Sequence, residues 1–200
     1  QDHLTGWGYG VQKQPFTYTK SGVDKASQNL VAELKGQSDK VILIGAHYDS
    51  TGDKHGSEGA TDNGAGVAAL LAVAEALKGQ TLPYTVRFAF FGAEENGLNG
   101  SKAYVASLDS AAIAQLVAMV NYDTIAGGDI VYVHSAHSDV AEYNCAEPSR
   151  YSFDPKVRDR LLAISKQTDT PFAIHPSYAG YPGGETGSWS DHAPFACLGV

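Results

Sequence analysis

The sequence predicts an α/β protein, a three-layer α/β/α sandwich built on a mixed, largely parallel central sheet. Three observations lead there. The apolar runs VILIGAHY (41–48), YTVRFAFF (84–91) and VAMVNYD (117–123) have the length and composition of buried strands. Stretches of helical character separate them, the alternation that builds parallel sheets covered on both faces. Finally, 200 residues with 43% apolar and 18% charged side chains are enough for one well-buried core, so residues 1–200 are read as a single domain.

In chain order, VQKQPFTY (11–18) and NLVAEL (29–34) read as strands, followed by the run at 41–48. A polar, Gly-rich loop, DSTGDKHGSEGATDNGAG (49–66), then opens into an Ala- and Leu-rich helix from about Gly66 to Lys78, stopped by Gly79. The buried strand at 84–91 is followed by a short helix over 101–108. Asp109 is placed to cap a further helix that runs to about Leu116. After 117–123, DIVYVHS (129–135) reads as another strand, 154–168 as an amphipathic helix opened by Asp-Pro, and PFAIHPS (171–177) as a strand. The last residues, FACLGV (195–200), read as a helix running into a strand.

Bulk properties exclude several functions. The net charge of −8 and the lack of a long basic run argue against a nucleic-acid or anionic-membrane surface. Val67–Leu77, the longest apolar stretch, is interrupted by Glu75 and is too short to span a bilayer. The chain starts at Gln1 with no visible signal peptide, the pattern of a processed or trimmed product. Cys145 and Cys197 are too few for a disulfide framework, and pairing or a reduced state both stay open.

The chemistry concentrates where the predicted strands end. His47 and Asp49 close the first buried run, Glu94 and Glu95 follow the second, and Asp123 ends the third; Asp62 lies in the loop before the helix. In open α/β sheets, sites form at the carboxyl ends of strands. A solvated turn explains one acidic pair, but not acids at three strand ends. His, Asp and Glu without Cys make an N/O site suited to zinc, and less selectively to manganese or cobalt. Neighbouring Glu94 and Glu95 project differently, so one is expected to bind metal while the other accepts a proton from water and returns it to a leaving amine. Asp49, two residues beyond His47, is placed to hold the imidazole from behind.

Five segments, GAHYDS, GATDNGAG, FFGAEENGLNGS, NYDT and SDHAPF, resemble in order and spacing the co-catalytic di-zinc aminopeptidases of metallopeptidase family 28, which include secreted leucyl-type enzymes of bacteria. The resemblance runs from about Ser27 to the end of the chain. It implies a zinc-exopeptidase fold and peptide substrates with a free N-terminus. It also implies His47 and Asp123 on one zinc, Asp62 bridging to a second, Glu95 on that second ion, and Glu94 as general base. A cis Asp62–Asn63 peptide and a secreted or periplasmic location are further family expectations. The family's fifth protein ligand, a histidine on a loop downstream of SDHAPF, has no counterpart before Val200. The chain is therefore read as truncated at its C-terminus, with one zinc or partial occupancy, preferentially at His47, and weak activity at best. His192 is the first candidate to replace the absent ligand.

Rival readings fare worse. GAGVAA matches a dinucleotide fingerprint through Gly64, Gly66 and Ala69, but a long loop separates it from the preceding strand. Ser190, Asp191 and His192 are consecutive and cannot align as a nucleophilic triad; Asp191 and His192 are assigned instead to the substrate side of the pocket or to holding its loop. A non-enzymatic member of the same fold would be expected to lack ligands. Glutaminyl cyclases share the fold and an HYDS-like segment, but TDNGAG and EENGLNGS favour a peptidase. His3 and His55 are read as exposed bystanders, His134 and His137 as structural or solvent-facing without an acidic partner, and His175 as a strand-edge residue. Tyr178 and Tyr181, ahead of Trp189, are placed either to line a pocket for the substrate's first side chain or simply to pack their loop.

Overall fold

Strand β1 (Val11–Lys20) turns through Ser21 and Gly22, both at positive φ, into the antiparallel strand β2 (Val23–Leu34). A computed structural model describes residues 1–52, 57–178 and 180–200. Strand β3 (Val41–His47) is followed by helix α2 (Ala65–Leu77), which ends just before Gly79 at φ 73°. Strands β4 (Thr85–Phe91) and β5 (Leu116–Asn121) both lie parallel to β3. The five-stranded sheet has the order β1-β2-β4-β3-β5, with β2 antiparallel to β4. Its parallel half is the half that matters for the site.

Strand alternation assigns the two faces. Phe88 and Phe90 of β4, with Ala46 of β3, pack beneath Leu70 and Ala74 of α2. Leu4 of the N-terminal helix α1 (Asp2–Gly6) and Tyr9 join the same cluster. On the opposite face, Leu43, Ala89 and Phe91 meet Tyr104 of α3 (Asn99–Ala106) and Phe195 of α6 (Ala193–Ala196). Helices thus cover both faces, giving the three expected layers. Helix α4 (Ser110–Gln115) begins as anticipated, the Asp109 carboxylate accepting from Ala112 N at 2.8 Å.

Two expected strands do not form. Over 129–135 and 171–177 the chain makes only a single bridge, Tyr132 to Ala173, and the two-residue parallel pair β6 (Ser135–Ala136) and β7 (Glu185–Thr186). Ile130, Tyr132 and Ile174 alternate like strand residues but remain exposed, with no sheet face to cover them. Helix α5 (Lys156–Ser165) lies between them. After α6 the chain turns rather than extending, with Val200 N bonded back to Phe195 O. Cys145 and Cys197 are joined in a disulfide across 52 residues, tying the end of α6 to the segment after β6.

Candidate metal centre

Parallel register aligns the strand ends: His47 stands opposite Phe91, and Gly45 opposite Asn121. His47, 1% exposed, is therefore delivered beside the chain leaving β5 and beside the turn that follows β4. Its Nε2 lies 3.1 Å from Asp62 Oδ1 and 3.4 Å from Asp123 Oδ1. One nitrogen and two carboxylate oxygens, from three separate elements, come within 4.8 Å of one another.

The imidazole is oriented from behind. His47 Nδ1 is 3.1 Å from the main-chain oxygen of Asp49, a contact that a protonated Nδ1 donates, so that Nε2 is the nitrogen facing the two aspartates. The Asp49 carboxylate is also near the ring. That carboxylate stands 3.7 Å away and also grips the turn after β4, where its oxygens accept the backbone N–H groups of Glu94 at 3.0 Å and Glu95 at 3.3 Å. Asp49 thus couples the histidine to the turn carrying both glutamates. Burial raises the Asp49 pKa, but the nearby His47 imidazole and the two backbone hydrogen bonds outweigh it and leave the group below the ordinary aspartate value.

Asp62 sits in the turn Ala60–Gly64, and the Asp62–Asn63 peptide is cis. Asn63 pins this turn to the end of β5. Its Oδ1 accepts from Gly66 N at 3.1 Å and Thr124 N at 3.3 Å, and its Nδ2 donates to Tyr122 O at 2.8 Å. Gly66 is required for the approach, since a Cβ there would fall against Asn63 Oδ1 and lie 2.7 Å from Tyr122 O. A nucleotide fingerprint is not needed to explain it.

Asp123 accepts from Thr124 Oγ1 at 2.8 Å and from Ser190 Oγ, which in turn accepts from Asn121 Nδ2 at 2.7 Å. Burial pushes Asp123 up, but hydrogen bonds from His47, Ser190 and Thr124 prevail and hold it down at about 2. Ser190 therefore supports a carboxylate rather than acting as a nucleophile. His192 Nε2 lies 3.0 Å from both Gly187 O and the Tyr143 hydroxyl, outside the three-donor cluster, and burial lowers its pKa to about 4. It fastens the 187–190 loop. Asp191 is fully buried, neither oxygen is hydrogen-bonded, and burial raises its pKa to about 7.

Glu94 is buried beside this group. Desolvation lifts its pKa to about 8, opposed by the charge of His47 and reinforced by Asp191 and Asp123. Glu95 points elsewhere, as neighbouring side chains must. It lies outside the His47 cluster, and burial followed by the charge of Asp62 raises its pKa. Asn29 steadies the loop that carries both, its Oδ1 accepting from Gly92 N at 3.2 Å and its Nδ2 donating to Gly100 O at 2.9 Å. Nothing in the local sequence pattern marked Asn29, Asn63 or Ser190 as supports, because each acts on a partner far along the chain.

The donors fit a divalent cation. Glu95 Oε1 is shielded from solvent without a hydrogen-bond partner and shielded Asp62 Oδ1 has only the His47 imidazole, 3.1 Å away, an arrangement that is costly for carboxylate oxygens unless a cation meets them. Among the described residues, His47 is the one basic group paired with these acids. Burial disfavours its proton, yet Asp123 and Asp49 hold its pKa up at about 11, so the site draws positive charge to Nε2. A proton and a metal ion compete for that lone pair.

The other histidines are placed apart from this centre. His3 is exposed against Trp7, and His55 lies outside the described residues. His137 was expected to lack an acidic partner, but is buried 3.8 Å from Glu185, a residue brought in by β7. His134 Nδ1 is 3.4 Å from Glu185 O, and His175 packs between Tyr132 and Tyr178 with no strand beneath it.

Residues 29–200 match the model of Peptidase family M28. A curated relative, "Probable lipoprotein aminopeptidase LpqL" of Mycobacterium tuberculosis, is 43% identical over 102 residues, covering 50% of this chain and 20% of that protein. Among solved structures, the zinc aminopeptidase BSAP from Bacillus subtilis superposes with a TM-score of 0.63 at 27% identity, over 88% of this chain and 39% of that one. An Acidobacteriales bacterium glutaminyl cyclase gives a TM-score of 0.73 at 18% identity over the whole chain and 65% of its own, a likeness of fold alone. The chain thus spans about one fifth of the length of the first relative.

Proposed function

The chain belongs to peptidase family M28, and from that membership we propose that it carries the catalytic centre of a zinc-dependent aminopeptidase, acting on peptides with a free N-terminus. The observation that carries the reading is the meeting of His47, Asp62 and Asp123 beside the buried Glu94. His47, Asp62 and Asp123 would hold one zinc ion, and Asp62 with Glu95 would offer carboxylates to a second; the site with three donors among the described residues would be the first to fill. Bound zinc supplies Lewis acidity, lowering the pKa of water and polarising a carbonyl.

The remaining work falls to the chain's own groups. Glu94 accepts a proton from the water that adds to the first peptide carbonyl. As the C–N bond breaks, Glu94 passes that proton to the departing nitrogen. Burial keeps its proton affinity in the neutral range, where such exchange is most effective. Asp49 fixes the Glu94 backbone and the His47 ring together, so base and ligand keep one geometry. The unpaired acids offer a place for the substrate's ammonium group, which accounts for selectivity toward a free N-terminus.

Export from the cytoplasm is part of the proposal. The Cys145–Cys197 bridge suits an oxidising compartment, and no helix among the described residues is long and apolar enough to cross a membrane.

The reading is tested with leucine p-nitroanilide and a leucyl peptide in the presence of zinc, alongside the N-acetylated peptide. Turnover of the free forms is expected, with the acetylated peptide left intact. Equal turnover of free and acetylated peptide would rule out the ammonium contact. Pyroglutamate formation from an N-terminal glutamine peptide, without release of leucine, would favour a cyclase instead.

A further inference from the structure

Pairing between β2 and β4 stops at Leu30 and Phe90, and the chain leaving β4 is then fastened to β2 by the side chain of Asn29. Asn29 is fully buried, and both hydrogens of its amide are used. Its Oδ1 accepts from Gly92 N at 3.2 Å, while its Nδ2 donates to Gly100 O at 2.9 Å and to Gln14 Oε1 of β1 at 2.8 Å. The two main-chain groups stand at the ends of the segment 92–100, and Glu94 and Glu95 lie inside it. Those ends meet closely: a Cβ on Gly100 would fall against Gly92 O and lie 2.6 Å from Asn29 Oδ1.

The backbone of this segment does not hold its shape unaided. Ala93 and Leu98 sit at φ 57° and 60°, a region that residues with a Cβ rarely occupy and keep only where their surroundings fix them. Asp49 supplies anchors at Glu94 N and Glu95 N. These are adjacent in the chain and share one carboxylate, so alone they leave the segment free to pivot about them. Asn29 grips both of its ends and removes that freedom. Gln14 in turn holds the Asn29 amide and donates to Ser107 Oγ at the end of α3 at 2.8 Å, which carries the support out to the edge strand of the sheet.

We propose that Asn29 is a positioning residue for the general base, setting the place of Glu94 against the metal centre by fixing both ends of the segment that carries it. The inference rests on the aminopeptidase reading, since only a working base gives that placement a consequence. Asn29 is sealed from solvent, so it meets no substrate itself. His47, Asp62 and Asp123 lie outside the segment, so the three-donor site does not depend on it. Proton transfer does depend on it, because a misplacement of about 1 Å at a reacting group can cost up to about 100-fold in rate. The effect therefore falls chiefly on kcat.

The test measures zinc affinity, and kcat and KM on leucine p-nitroanilide, for the wild type, Asn29→Ala, Gln14→Ala, Gln14→Glu, Glu94→Gln, and Asn29→Ala combined with Glu94→Gln. Asn29→Ala should lower kcat roughly 10- to 100-fold, with KM and zinc affinity changed far less. Gln14→Ala should lower kcat by about threefold, the scale of one lost hydrogen bond. Gln14→Glu keeps an oxygen for Asn29 Nδ2 and should restore it. In the Glu94→Gln background Asn29→Ala should cost less than about twofold, because residues that act through one group do not add. An asparagine with a merely structural role would lower turnover by the same factor in both backgrounds. That result, or wild-type kcat in Asn29→Ala, would overturn the proposal. If Asn29→Ala does not fold, the Gln14 variants decide, and equal kcat in the two would overturn it. A wild type that releases no p-nitroaniline would sink the aminopeptidase reading and the proposal with it, whereas an active wild type with unaffected variants would sink the proposal alone.

Discussion

Glu94→Gln is expected to lower kcat on leucine p-nitroanilide by roughly 10²- to 10⁴-fold, the usual contribution of a positioned general base, while zinc content and thermal stability stay near those of the wild type. The amide has the shape of the carboxyl group but cannot take up the proton of water. Folding should tolerate the change, because Asp49 holds this turn through the Glu94 backbone N–H, which the substitution keeps. Burial already favours the uncharged form of Glu94, raising its pKa to about 8, so a neutral amide of the same shape suits the same surroundings. Glu94 lies outside the His47–Asp62–Asp123 cluster, so metal should remain. Zinc content and kcat are measured on the same preparation. Undiminished turnover would remove Glu94 from its role and point to Asp191, the other buried acid with a raised pKa.

His47→Ala should separate metal from fold in the opposite way. Loss of a group that merely orients a ligand typically costs 10- to 100-fold in metal affinity, so loss of the ligand itself should exceed about 100-fold. Zinc at a hundred times its Kd should stabilise the wild type by about 2.7 kcal/mol, and this gain should vanish in the variant. Because Nε2 must give up its proton to bind metal, the gain in the wild type should shrink as the pH falls. Thermal melts with and without zinc, run from pH 5 to 8, check both points. A variant still stabilised by zinc to the wild-type extent would place the ion elsewhere.

Much of this site was legible in the sequence because strands β3, β4 and β5 are each long, apolar and closed by a polar residue. Once such runs pair in parallel, His47, Glu94 and Asp123 share one edge whatever else the chain does. Residues 129–135 and 171–177 show the limit of that inference. Their alternation is as strand-like as that of β1, but β1 pairs with β2 along its length, whereas these runs share one bridge and only Ser135 pairs further, with Glu185 of β7. Pairing depends on partners that local pattern does not contain. The same holds for Ser190 on Asp123 and Asn63 between α2 and β5, and for the Cys145–Cys197 bridge, whose partners lie 52 residues apart. Asp49 is a subtler case. Its proximity to His47 was readable from a spacing of two, whereas its grip on the glutamate turn depends on how β3 and β4 lie side by side.

The claim beneath all of this is that one divalent ion joins the ends of these parallel strands. Anomalous diffraction at the zinc edge, from crystals of this chain grown with zinc, tests it directly. The strongest peak is predicted among His47 Nε2, Asp62 and Asp123, with any weaker second peak between Asp62 and Glu95. Zinc bound at other residues, with these four side chains left without an ion, would contradict the account.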